Sequence, residues 1–531
     1  MNSSSEKKNN LEQIVSLAKR RGFIFQSSEL YGGINGFWDY GPLGSELKRN
    51  VREVWWRYIV HGREDIVGLD AAIIMNPKIW EASGHLGGFS DPMVDCKICK
   101  KRYRADQLCE EQGSQLIGDG KRWKMPENVS CSNCGSKDLT EPRSFNLMFK
   151  TFVGPVEDDS AVAYLRPETA QAIFAQFLNI LPTSRKSVPF GVAQSGKSFR
   201  NEINPRNFTF RSREFEQMEI EFFIRPDEAV ELICGKVTTL ADNPDLEGEP
   251  QDDWGWEVWH RYWVEQRFAW FRTIGLPADS LVERVHSKNE LAHYAKTCVD
   301  IEYAFPFGIQ ELEGIAARGN FDLTQHQKFS SRSMAVMDDK LRIAVSEMND
   351  AAKEAFRQKT VANWVQDGKS EEEATAFCNL LFEGRYIPHV VEPSLGTDRL
   401  VLALICNAFD EEEITDAKGK KEVRTVLRFH PSVAPVKVAV FPLVKNRPEL
   451  YDKARDVFKK LNRYWNCFWD ESGAIGRRYR RQDEIGTPFC ITVDFDTLED
   501  DTVTVRMRDS MEQTRVPVSD LRDFLEEAME L

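Results

Sequence analysis

Two short segments in the middle of the chain carry side chains that suit a nucleotide. They are Phe199–Glu202, with the sequence Phe-Arg-Asn-Glu, and Arg211–Phe215, with the sequence Arg-Ser-Arg-Glu-Phe, and the loop 203–210 joins them. The forked guanidinium of arginine matches phosphate, a carboxylate accepts from an exocyclic amine, and an aromatic ring stacks on a base. Together the segments predict an ATP site. Any one of these arginines taken alone is more typical of an exposed hairpin with surface ion pairs.

A second candidate segment, Val391–Leu400, has the sequence Val-Glu-Pro-Ser-Leu-Gly-Thr-Asp-Arg-Leu and leads into an apolar run. Its pattern predicts a strand that turns at Ser394 and Gly396, where the backbone can approach a ligand closely. A buried helix would follow and hold Arg399 at its N-terminal end. The alternative is a simple helix start with Asp398 in its first turn.

Alternating side chains mark the segment 217–223. In a strand, one face would carry Gln217, Glu219 and Glu221, and the other Met218, Ile220 and Phe222. Acidic side chains are costly to bury unless they are paired. We expect a cationic group, such as a substrate ammonium, to be their partner.

Four cysteines form two Cys-x-x-Cys pairs, Cys96 with Cys99 and Cys131 with Cys134, with 31 residues between the pairs. Four thiolates in this form predict a structural zinc site, which would stabilise a segment with little apolar core. A catalytic zinc is not expected, because a fourth thiolate leaves no open coordination position. Four buried or unligated cysteines are the alternative, since the gap exceeds the usual ~15 to 20 residues.

A basic run at Gly476–Pro488 lies near the C-terminus, and Arg506 and Arg508 follow it. Arginines beside an aromatic ring suit single-stranded bases, which can splay out and stack. A solvated charged face is the alternative interpretation. The candidate contacts are Arg477, Arg478, Arg480 and Arg481.

The elements that position these residues follow from hydrophobic periodicity. Helical spacing predicts an amphipathic helix over 11–21, ended by Gly22, and a second helix from Gly41-Pro42 to Ile59. Short apolar runs at Gly191–Gln194 and Glu214–Phe223 predict antiparallel strands. After residue 435 the expected elements are a strand at 436–441, a helix at 448–461, strands at 489–493 and 502–507, and a helix at 518–529. This alternation predicts a separate α/β domain.

Composition narrows the class of protein. The length of 531 residues predicts about three to four domains. The formal net charge of -14 argues against a protein that coats nucleic acid indiscriminately, but it permits a nucleic-acid partner at a local basic patch. The start of the chain is polar, no stretch approaches the roughly 18 to 20 apolar residues that cross a bilayer, and 11 cysteines without a signal segment favour reduced thiols. We therefore expect a cytoplasmic protein without a membrane anchor.

The segments around Arg200 and Arg399 resemble motifs 2 and 3 of the class II aminoacyl-tRNA synthetases, in that order and at that distance. Gly41-Pro42 and the helix after it are similar to motif 1, whose helix forms a dimer interface, so the resemblance implies a homodimer. From about Leu11 to the C-terminus the chain resembles the homodimeric glycyl-tRNA synthetase family. The specific marks are Gly32–Pro42, Arg166–Gln171, Glu216–Phe223 and Glu392–Ser394.

Motif 3 of the class has glycines where this chain has Glu392 and Ser394, and that departure is characteristic of the glycyl family. The resemblance implies an α+β fold, in which a class II antiparallel sheet core is flanked by helices. The expected units are a disordered tail at 1–10, a catalytic domain at 11–432 and a C-terminal α/β anticodon-binding domain at 433–531. The expected insertions in the catalytic domain are a zinc-ribbon-like, zinc-binding module at about 95–142 and mainly helical segments at 225–300 and 322–385.

The resemblance also implies roles for individual residues. Arg200 and Arg399 would be catalytic, with Arg200 on the α-phosphate and Arg399 at the γ-phosphate end of a bent ATP. The implied ATP-binding residues are Arg200, Asn201, Glu202, Phe210, Arg211, Phe215, Glu311, Leu312, Gly396, Asp398 and Arg399. The implied glycine-binding residues are Arg104, Glu168, Phe215, Glu216, Gln217, Met218, Glu219, Glu392 and Ser394. Glu311 would bind Mg²⁺ with ATP, zinc would lie on the four cysteines, and the arginines of the basic run would contact tRNA(Gly).

The implied activity is ligation of glycine to tRNA(Gly) through glycyl-adenylate, with release of pyrophosphate. Glycine offers no side chain, so its charged groups must supply affinity, and steric exclusion of a Cβ can reject every larger amino acid in one step. Catalysis would rest on positioning and charge stabilisation, without a covalent protein intermediate.

Two alternatives belong to other classes. A non-catalytic descendant that binds tRNA is disfavoured because Arg200, Arg211 and Arg399 are all present. A class II synthetase for serine or alanine is disfavoured by Glu392-Pro393-Ser394 and by the face that carries Glu219 and Glu221.

Overall fold

The computed structural model describes residues 10–118, 123–246, 248–288, 290–292, 295–415, 419 and 421–529, and the side chains from residue 11 onward. The fold is α+β, as the sequence predicts. The expected disordered tail at 1–10 lies outside the described residues, apart from the backbone of Asn10. In the described part of the chain, no helix is both long and apolar enough to cross a membrane.

The centre of the molecule is a seven-stranded sheet with the order β13-β14-β15-β18-β12-β11-β3. Its strands are β3 (Ile66–Leu69), β11 (Phe190–Phe199), β12 (Glu214–Ile224), β13 (Leu281–Val285), β14 (Thr297–Phe305), β15 (Gly308–Gly319) and β18 (His389–Gly396). All neighbours are antiparallel except the edge pair β11 and β3, which is parallel. The predicted strands in β11 and β12 are confirmed, and the loop between them carries the first arginine segments.

The expected turn at Ser394 is wrong. Ser394 pairs with Glu219 of β12 on one side and with Gly314 of β15 on the other. Because backbone pairing is satisfied on both sides, β18 continues to Gly396, and the helix α13 (Thr397–Ala408) starts directly after it. Arg399 lies in the first turn of that helix, as predicted.

The two faces of β12 are buried against different layers. Met218, Ile220 and Phe222 belong to the larger apolar core. Helix α8 (Trp256–Thr273) packs there, with the Trp259 and Trp263 rings 5.2 and 5.1 Å from the Phe222 ring. The opposite face holds the glutamates and Phe223, and helix α6 (Ala170–Ser184) covers its apolar end. The alternation predicted for this strand is confirmed.

The N-terminal elements brace the sheet. They are α1 (Asn10–Arg21), β1 (Ile24–Gln26), β2 (Trp38–Tyr40) and α2 (Pro42–Trp56), which ends in the π-turn Arg57–His61. Both predicted helices are confirmed. Helix α2 approaches the preceding chain very closely, because an ideal Cβ on Gly44 would lie 1.8 Å from the Phe23 carbonyl oxygen.

Small elements fill the region between β3 and β11. They are α3 (Lys78–Ala82), α4 (His85–Gly88), β4 (Ser90–Asp95), β5 (Arg102–Arg104), α5 (Ala105–Glu110), β6 (Ile117–Gly118), β7 (Trp123–Lys124), β8 (Arg143–Asn146), β9 (Lys150–Phe152) and β10 (Val162–Tyr164). Strands β5, β4 and β8 form a three-stranded sheet. Its fully buried apolar cluster has five members, which is too few to stabilise such a segment strongly.

Helices dominate the remaining connections of the central sheet. Residues 225–300, which were expected to be mainly helical, contain α7 (Asp227–Cys234) and α8, but their last part supplies β13 and the start of β14. After β15 the chain forms α9 (Phe321–Ser330), β16 (Val336–Met337), α10 (Asp339–Ser346), α11 (Asp350–Gln366), α12 (Glu371–Phe382) and β17 (Arg385–Tyr386). Side chains cap three of these helices, with Asp338 before α10, Asn349 before α11 and a Ser370–Glu373 capping box on α12.

The C-terminal part has its own sheet with the order β22-β21-β23-β24-β25 and its own apolar core. Its elements are β21 (Val438–Pro442), α14 (Pro448–Leu461), β22 (Cys467–Trp469), α15 (Ile475–Asp483), β23 (Phe489–Val493), α16 (Phe495–Asp500), β24 (Thr502–Met507), β25 (Gln513–Pro517) and α17 (Leu521–Ala528). The predicted α14, β23 and β24 are confirmed at the predicted residues. The sequence analysis did not identify β22, α15 as a helix, α16 or β25.

A buried ionic cluster joins this part to the hairpin formed by β19 (Phe409–Thr415) and β20 (Lys421–Leu427). The Asp483 carboxylate accepts from Arg424 Nε at 2.9 Å and from Arg506 Nη1 at 2.9 Å. All three side chains are buried. Burial alone would raise the pKa of Asp483, but the two guanidinium groups hold it below its usual range.

Candidate active site

An open cleft of about 340 Å³ lies over β12, β18 and β15, next to the loop that joins β11 and β12. It collects residues that are up to roughly 200 positions apart in the chain. The predicted site residues that line it are Arg200, Glu202, Phe210, Arg211, Phe215, Glu216, Gln217, Glu311, Glu392, Ser394, Gly396, Asp398 and Arg399.

Two aromatic rings hold Arg200. Its guanidinium carbon lies 5.4 Å from the Phe89 ring centroid and 5.3 Å from that of Phe215, and its Nε donates to the Pro167 carbonyl at 3.0 Å. Stacking of this kind fixes the plane of a guanidinium while its edge remains available for hydrogen bonds. Phe89 was missed by the sequence analysis, since it lies more than 100 residues from Arg200.

Arg211 is partly buried, and its buried Nη1 has little compensation. Its Nη1 has no hydrogen-bond partner within the described chain, and Glu202 Oε2 is 4.0 Å away. Burial lowers the pKa of Arg211, Glu202 opposes this, and the nearby cations Arg104 and Arg399 lower it further. Such a cluster of positive charge would be stabilised by an anionic ligand.

Arg399 is oriented by Glu311 and Phe210. Its Nη1 is 2.9 Å from Glu311 Oε2, and its guanidinium carbon is 4.6 Å from the Phe210 ring centroid. Glu311 remains half exposed, and its pKa is lowered chiefly by Arg399. Carboxylate oxygen is the ligand type that Mg²⁺ prefers, so Glu311 could hold this ion beside a bound nucleotide.

A buried acidic pocket adjoins the cleft and consists of Glu219, Glu221 and Glu392, whose carboxylate oxygens lie within 4.8 Å of one another. Glu219 accepts from the hydroxyl groups of Thr169 and, at 2.8 Å, Ser394. Glu392 accepts from Arg318 Nη1 at 2.7 Å.

Glu221 is the least compensated member of the pocket. Neither of its oxygens has a hydrogen-bond partner among the described residues, and burial followed by repulsion from Glu392 raises its pKa well above the usual range. Burial also raises the pKa of Glu392 to about 8, although Arg318 opposes the shift, and it raises the pKa of Glu219. Glutamates in this state are suited to a cationic partner.

Glu168 lies beside this pocket. His85 Nε2 is 3.3 Å from Glu168 Oε2, and Gln171 Nε2 donates to Glu168 Oε1 at 3.1 Å. Burial would raise the pKa of Glu168, but His85, Arg318 and Arg200 lower it strongly. The structure thus brings Glu168 close to Glu219 and adds His85, which no sequence pattern indicated.

Asp398 and Glu216 line the cleft and also have ionic partners on and beside helix α2. Asp398 accepts from the Tyr40 hydroxyl at 2.5 Å, the Lys48 ammonium at 2.7 Å and the Glu216 amide at 2.6 Å. Lys48 also pairs with Glu216 at 3.1 Å, and Arg52 does so at 2.9 Å. These contacts connect helix α2 to the cleft, and the expected contact of the two carboxylates with substrate stays a prediction.

Four further predicted residues are not among those that line the cleft. Met218 and Leu312 are buried in the apolar core on the other side of the sheet, so their side chains cannot line the cleft. Asn201 donates its backbone amide to Leu147 at 2.8 Å. Arg104 pairs with Asp91 at 3.0 Å and with Asp106 at 2.5 Å, in the small three-stranded sheet.

The chain closely resembles curated proteins along nearly its whole length. It is 45% identical to a "Glycine–tRNA ligase" of Clostridium kluyveri, and the match covers 98% of each chain. It is also 46% identical to the enzyme of that name from Treponema denticola, over 96% of this chain and 95% of the relative, and 45% identical to that from Thermobifida fusca, over 98% of each. The chain belongs to the glycine–tRNA ligase family.

Family models match two parts of this member of the glycine–tRNA ligases. The model described as "Glycyl-tRNA synthetase insertion domain 1" matches residues 91–124, and the one described as "Anticodon binding domain" matches residues 437–528. The first overlaps the small cysteine-bearing region, and the second covers the C-terminal sheet.

The four predicted cysteines of this glycine–tRNA ligase converge, with Cys96 and Cys99 inside the matched residues 91–124 and Cys131 and Cys134 after them. Cys96 Sγ is 3.6 Å from Cys134 Sγ, Cys99 Sγ is 3.5 Å from Cys131 Sγ, and all four sulfurs lie within 4.8 Å of one another. None of them is in a disulfide. Four thiols at tetrahedral spacing fit a structural zinc ion.

The basic run forms helix α15, and only part of it faces solvent. Arg478 is buried and donates to the Pro442 carbonyl at 2.5 Å and to the Gly473 carbonyl, so its prediction as an RNA contact is corrected to a structural role. Arg480 and Arg481 are half-buried and pair with Asp483 and Asp470, respectively. Arg477 is exposed.

Proposed function

We propose that this chain is a glycine–tRNA ligase, which activates glycine with ATP and transfers it to the 3′ end of tRNA(Gly). The observation that carries the proposal is the meeting of two chemically different subsites. The cleft contains arginines that suit phosphate, and Glu392 and Ser394 line both this cleft and the acidic pocket beside it. ATP would fit the arginine cleft, and an amino acid whose only binding groups are its ammonium and carboxylate would fit the acidic pocket.

ATP would occupy the arginine cleft. Arg200 would contact the α-phosphate, and Arg211 with Arg399 would hold the γ-phosphate end. Phe215 would stack on adenine, and Glu202 would accept from its amine. The buried, unpaired Nη1 of Arg211 supports this assignment, because a phosphate oxygen would satisfy it.

Glycine would occupy the acidic pocket. Its ammonium would lie among Glu168, Glu219 and the Ser394 hydroxyl, with Glu392 nearby. The positive charge would offset the burial and the mutual repulsion that raise the pKa values of Glu219 and Glu392. Arg104, in the insertion, remains a candidate contact that would have to leave its present aspartate partners.

The reaction would begin when the glycine carboxylate attacks the α-phosphorus in line with the leaving pyrophosphate. A bond forms between a carboxylate oxygen and phosphorus, the bond to the bridging oxygen breaks, and glycyl-adenylate and pyrophosphate result. In the second step the terminal ribose hydroxyl of tRNA attacks the glycyl carbonyl and AMP leaves. The arginines position the phosphates and stabilise developing charge, so no protein nucleophile is needed. Mg²⁺ bound with ATP, with Glu311 as its protein ligand, would supply further charge neutralisation.

Further proposals concern the setting of the enzyme. We propose a catalytic domain at 11–432, an anticodon-binding domain at 433–531 with Arg477 as its best placed RNA contact, and structural zinc on the four cysteines. The class II interpretation of the seven-stranded sheet implies a homodimer through α2. We also propose that the enzyme works in the cytoplasm.

Glycine-dependent exchange of pyrophosphate into ATP tests the proposal. Exchange with glycine, but not with serine or alanine, is the expected result. Arg200→Ala should lower kcat by roughly 10²- to 10³-fold, as for removal of one group that stabilises transition-state charge. Arg102→Ala, which removes an exposed guanidinium of the insertion, serves as the matched control. No exchange by a correctly folded protein would refute the activity, and exchange with serine or alanine would refute the specificity.

A further inference from the structure

Three potential metal ligands meet on the far side of the ATP cleft. His286 follows β13, and Cys298 and Asp300 lie on β14, opposite it. His286 Nε2 is 2.6 Å from Asp300 Oδ2, and Cys298 Sγ is 3.9 Å from Asp300 Oδ1. One ligand atom from each residue lies within 4.8 Å of the other two. All three residues line the same cleft as Arg200 and Arg399, yet the proposed chemistry of glycine activation uses none of them.

A glycine leaves the floor of the cleft open next to this cluster. An ideal Cβ on Gly314 would lie 3.5 Å from Asp300 Oδ1 and 3.9 Å from Glu311 Oε1. The two carboxylates therefore face a common space in which this position has no side chain. Glu302 of β14 is a third acidic residue on these two strands, and it pairs across the ladder with Glu311 of β15. Arg284 is the opposing cation, but it reaches Asp300 through Oδ2, at 3.4 Å, and is itself paired with Glu290.

We propose that His286, Cys298 and Asp300 bind a second zinc ion, or a similar thiophilic divalent cation, distinct from the ion of the four-cysteine cluster. Imidazole, thiolate and carboxylate are the three ligand types that Zn²⁺ accepts, with Zn–N and Zn–O distances of about 2.0 to 2.2 Å and Zn–S of about 2.3 Å. Mg²⁺ prefers oxygen ligands in octahedral geometry, and a thiol is a poor ligand for it. Three protein ligands leave the fourth zinc position open toward the cleft.

The open position gives the ion a consequence for activity, which rests on the proposed function. Zinc on Asp300 would lie across the Gly314 gap from Glu311, where the nucleotide and its Mg²⁺ are proposed to bind. A zinc ion there would disturb the positions of Glu311 and Arg399 that ATP binding requires. Micromolar zinc therefore inhibits glycine activation, and the thiol of Cys298 sets the selectivity for zinc over magnesium.

Metal binding is measured first, independently of catalysis. The full-length enzyme is loaded with zinc at the four-cysteine site, dialysed to remove weakly held metal, and then titrated with Zn²⁺ alone by calorimetry, with the bound metal counted by mass spectrometry. The expected result is one further equivalent per chain. Its affinity should fall at least about tenfold in Cys298→Ser and in His286→Gln, since each loses a ligand. Cys234→Ser removes a partly buried thiol that is not in this cluster and should bind like the parent enzyme.

Circular dichroism and the thermal midpoint establish that each variant is folded, and Cys298→Ala replaces Cys298→Ser if the latter is not. Absence of a second equivalent in the parent enzyme overturns the proposal, as does a second equivalent that Cys298→Ser retains unchanged. Binding of Mg²⁺ alone with equal affinity also overturns it, because the site would then be an oxygen site. Pyrophosphate exchange with and without zinc then tests the consequence: inhibition should be present in the parent enzyme and at least about tenfold weaker in Cys298→Ser.

Discussion

Replacing Arg318 by methionine should damage the acidic pocket more than any surface charge change. Arg318 is buried, and it donates to Glu392 at 2.7 Å and to Asp322 at 2.8 and 3.0 Å. Methionine keeps much of the side-chain volume but removes the positive charge. Glu219, Glu221 and Glu392 would then be left without the buried cation that lowers the pKa of all three.

The size of the expected stability loss follows from the burial of the ion pair between Arg318 and Glu392. Breaking a buried ion pair by removing one partner typically costs about 3 to 5 kcal/mol, because a charge is left uncompensated. The matched control is Arg57→Met on α2, whose pair with Glu53 is exposed on both sides and should contribute about 0.3 to 0.5 kcal/mol. The double variant Arg318→Met/Glu392→Gln should recover part of the loss, since the second change removes one of the orphaned carboxylates.

The loss of stability in Arg318→Met should depend on pH in a predictable direction. Without Arg318 the pocket carboxyl groups have folded-state pKa values raised further above their unfolded values, so the native state binds more protons than the unfolded state. Stability then decreases as pH rises. Since the pKa of Glu392 is already raised to about 8, the penalty should be small near pH 6 and largest above about pH 8.

Native-state hydrogen exchange of the β12 amides is the appropriate assay. A protein with several domains has no single free energy of unfolding, whereas exchange reports the opening free energy of the central sheet itself. Opening free energies are compared for parent, Arg318→Met and Arg57→Met at low and high pH. A loss below about 1 kcal/mol in Arg318→Met at the high pH, or an equal loss at both pH values, would refute the reasoning about compensated charge.

Four further outcomes are expected. Glu221→Gln should change the exchange stability of β12 by less than about 1 kcal/mol, because its raised pKa already favours the neutral form, and a larger loss would mean that the carboxylate is charged. Asp483→Asn should cost about 3 to 5 kcal/mol in the C-terminal sheet, because Arg506 would lose its carboxylate partner while Arg424 would keep Glu412, and unchanged exchange of the β23 and β24 amides would contradict this. Gly44→Ala should cost at least about 1 to 3 kcal/mol and lower the thermal midpoint, since the new Cβ would meet a backbone carbonyl, and an unchanged midpoint would show that α2 can shift. Cys131→Ser should lose the zinc of the four-cysteine cluster in elemental analysis, and full retention would argue against a four-thiolate site.

Periodicity predicted those elements whose faces have different environments. Strand β12 alternates between an apolar core and a glutamate pocket, so its pattern specifies both its type and its orientation. The same holds for α14, whose apolar stripe is buried and whose other face is charged. Strand β18 was predicted to turn at Ser394 because Pro, Ser and Gly favour turns locally. Pairing with strands on both sides overrides that preference, and such pairing cannot be read from a local window.

The candidate site was predictable where chemistry is concentrated in short segments, as in the segments around Arg200 and Arg399. It was not predictable where the deciding partner is distant. Asp398 is separated from Lys48 by 350 residues, and only the fold shows that these two side chains form an ion pair in the wall of the cleft. The arginines of the basic run also differ in burial, which the sequence does not show. Arg477 and Arg478 are adjacent, but of these two only Arg477 is exposed.

The cluster around Asp398 connects the cleft to helix α2. Tyr40 and Lys48 hold Asp398, and the next residue in the chain is Arg399. A shift of helix α2 is therefore passed to the nucleotide-facing arginine through one peptide unit. Contacts on the outer side of α2 would therefore determine how rigidly Arg399 is held. A substitution that loosens this helix would lower activity even though every residue of the cleft is retained.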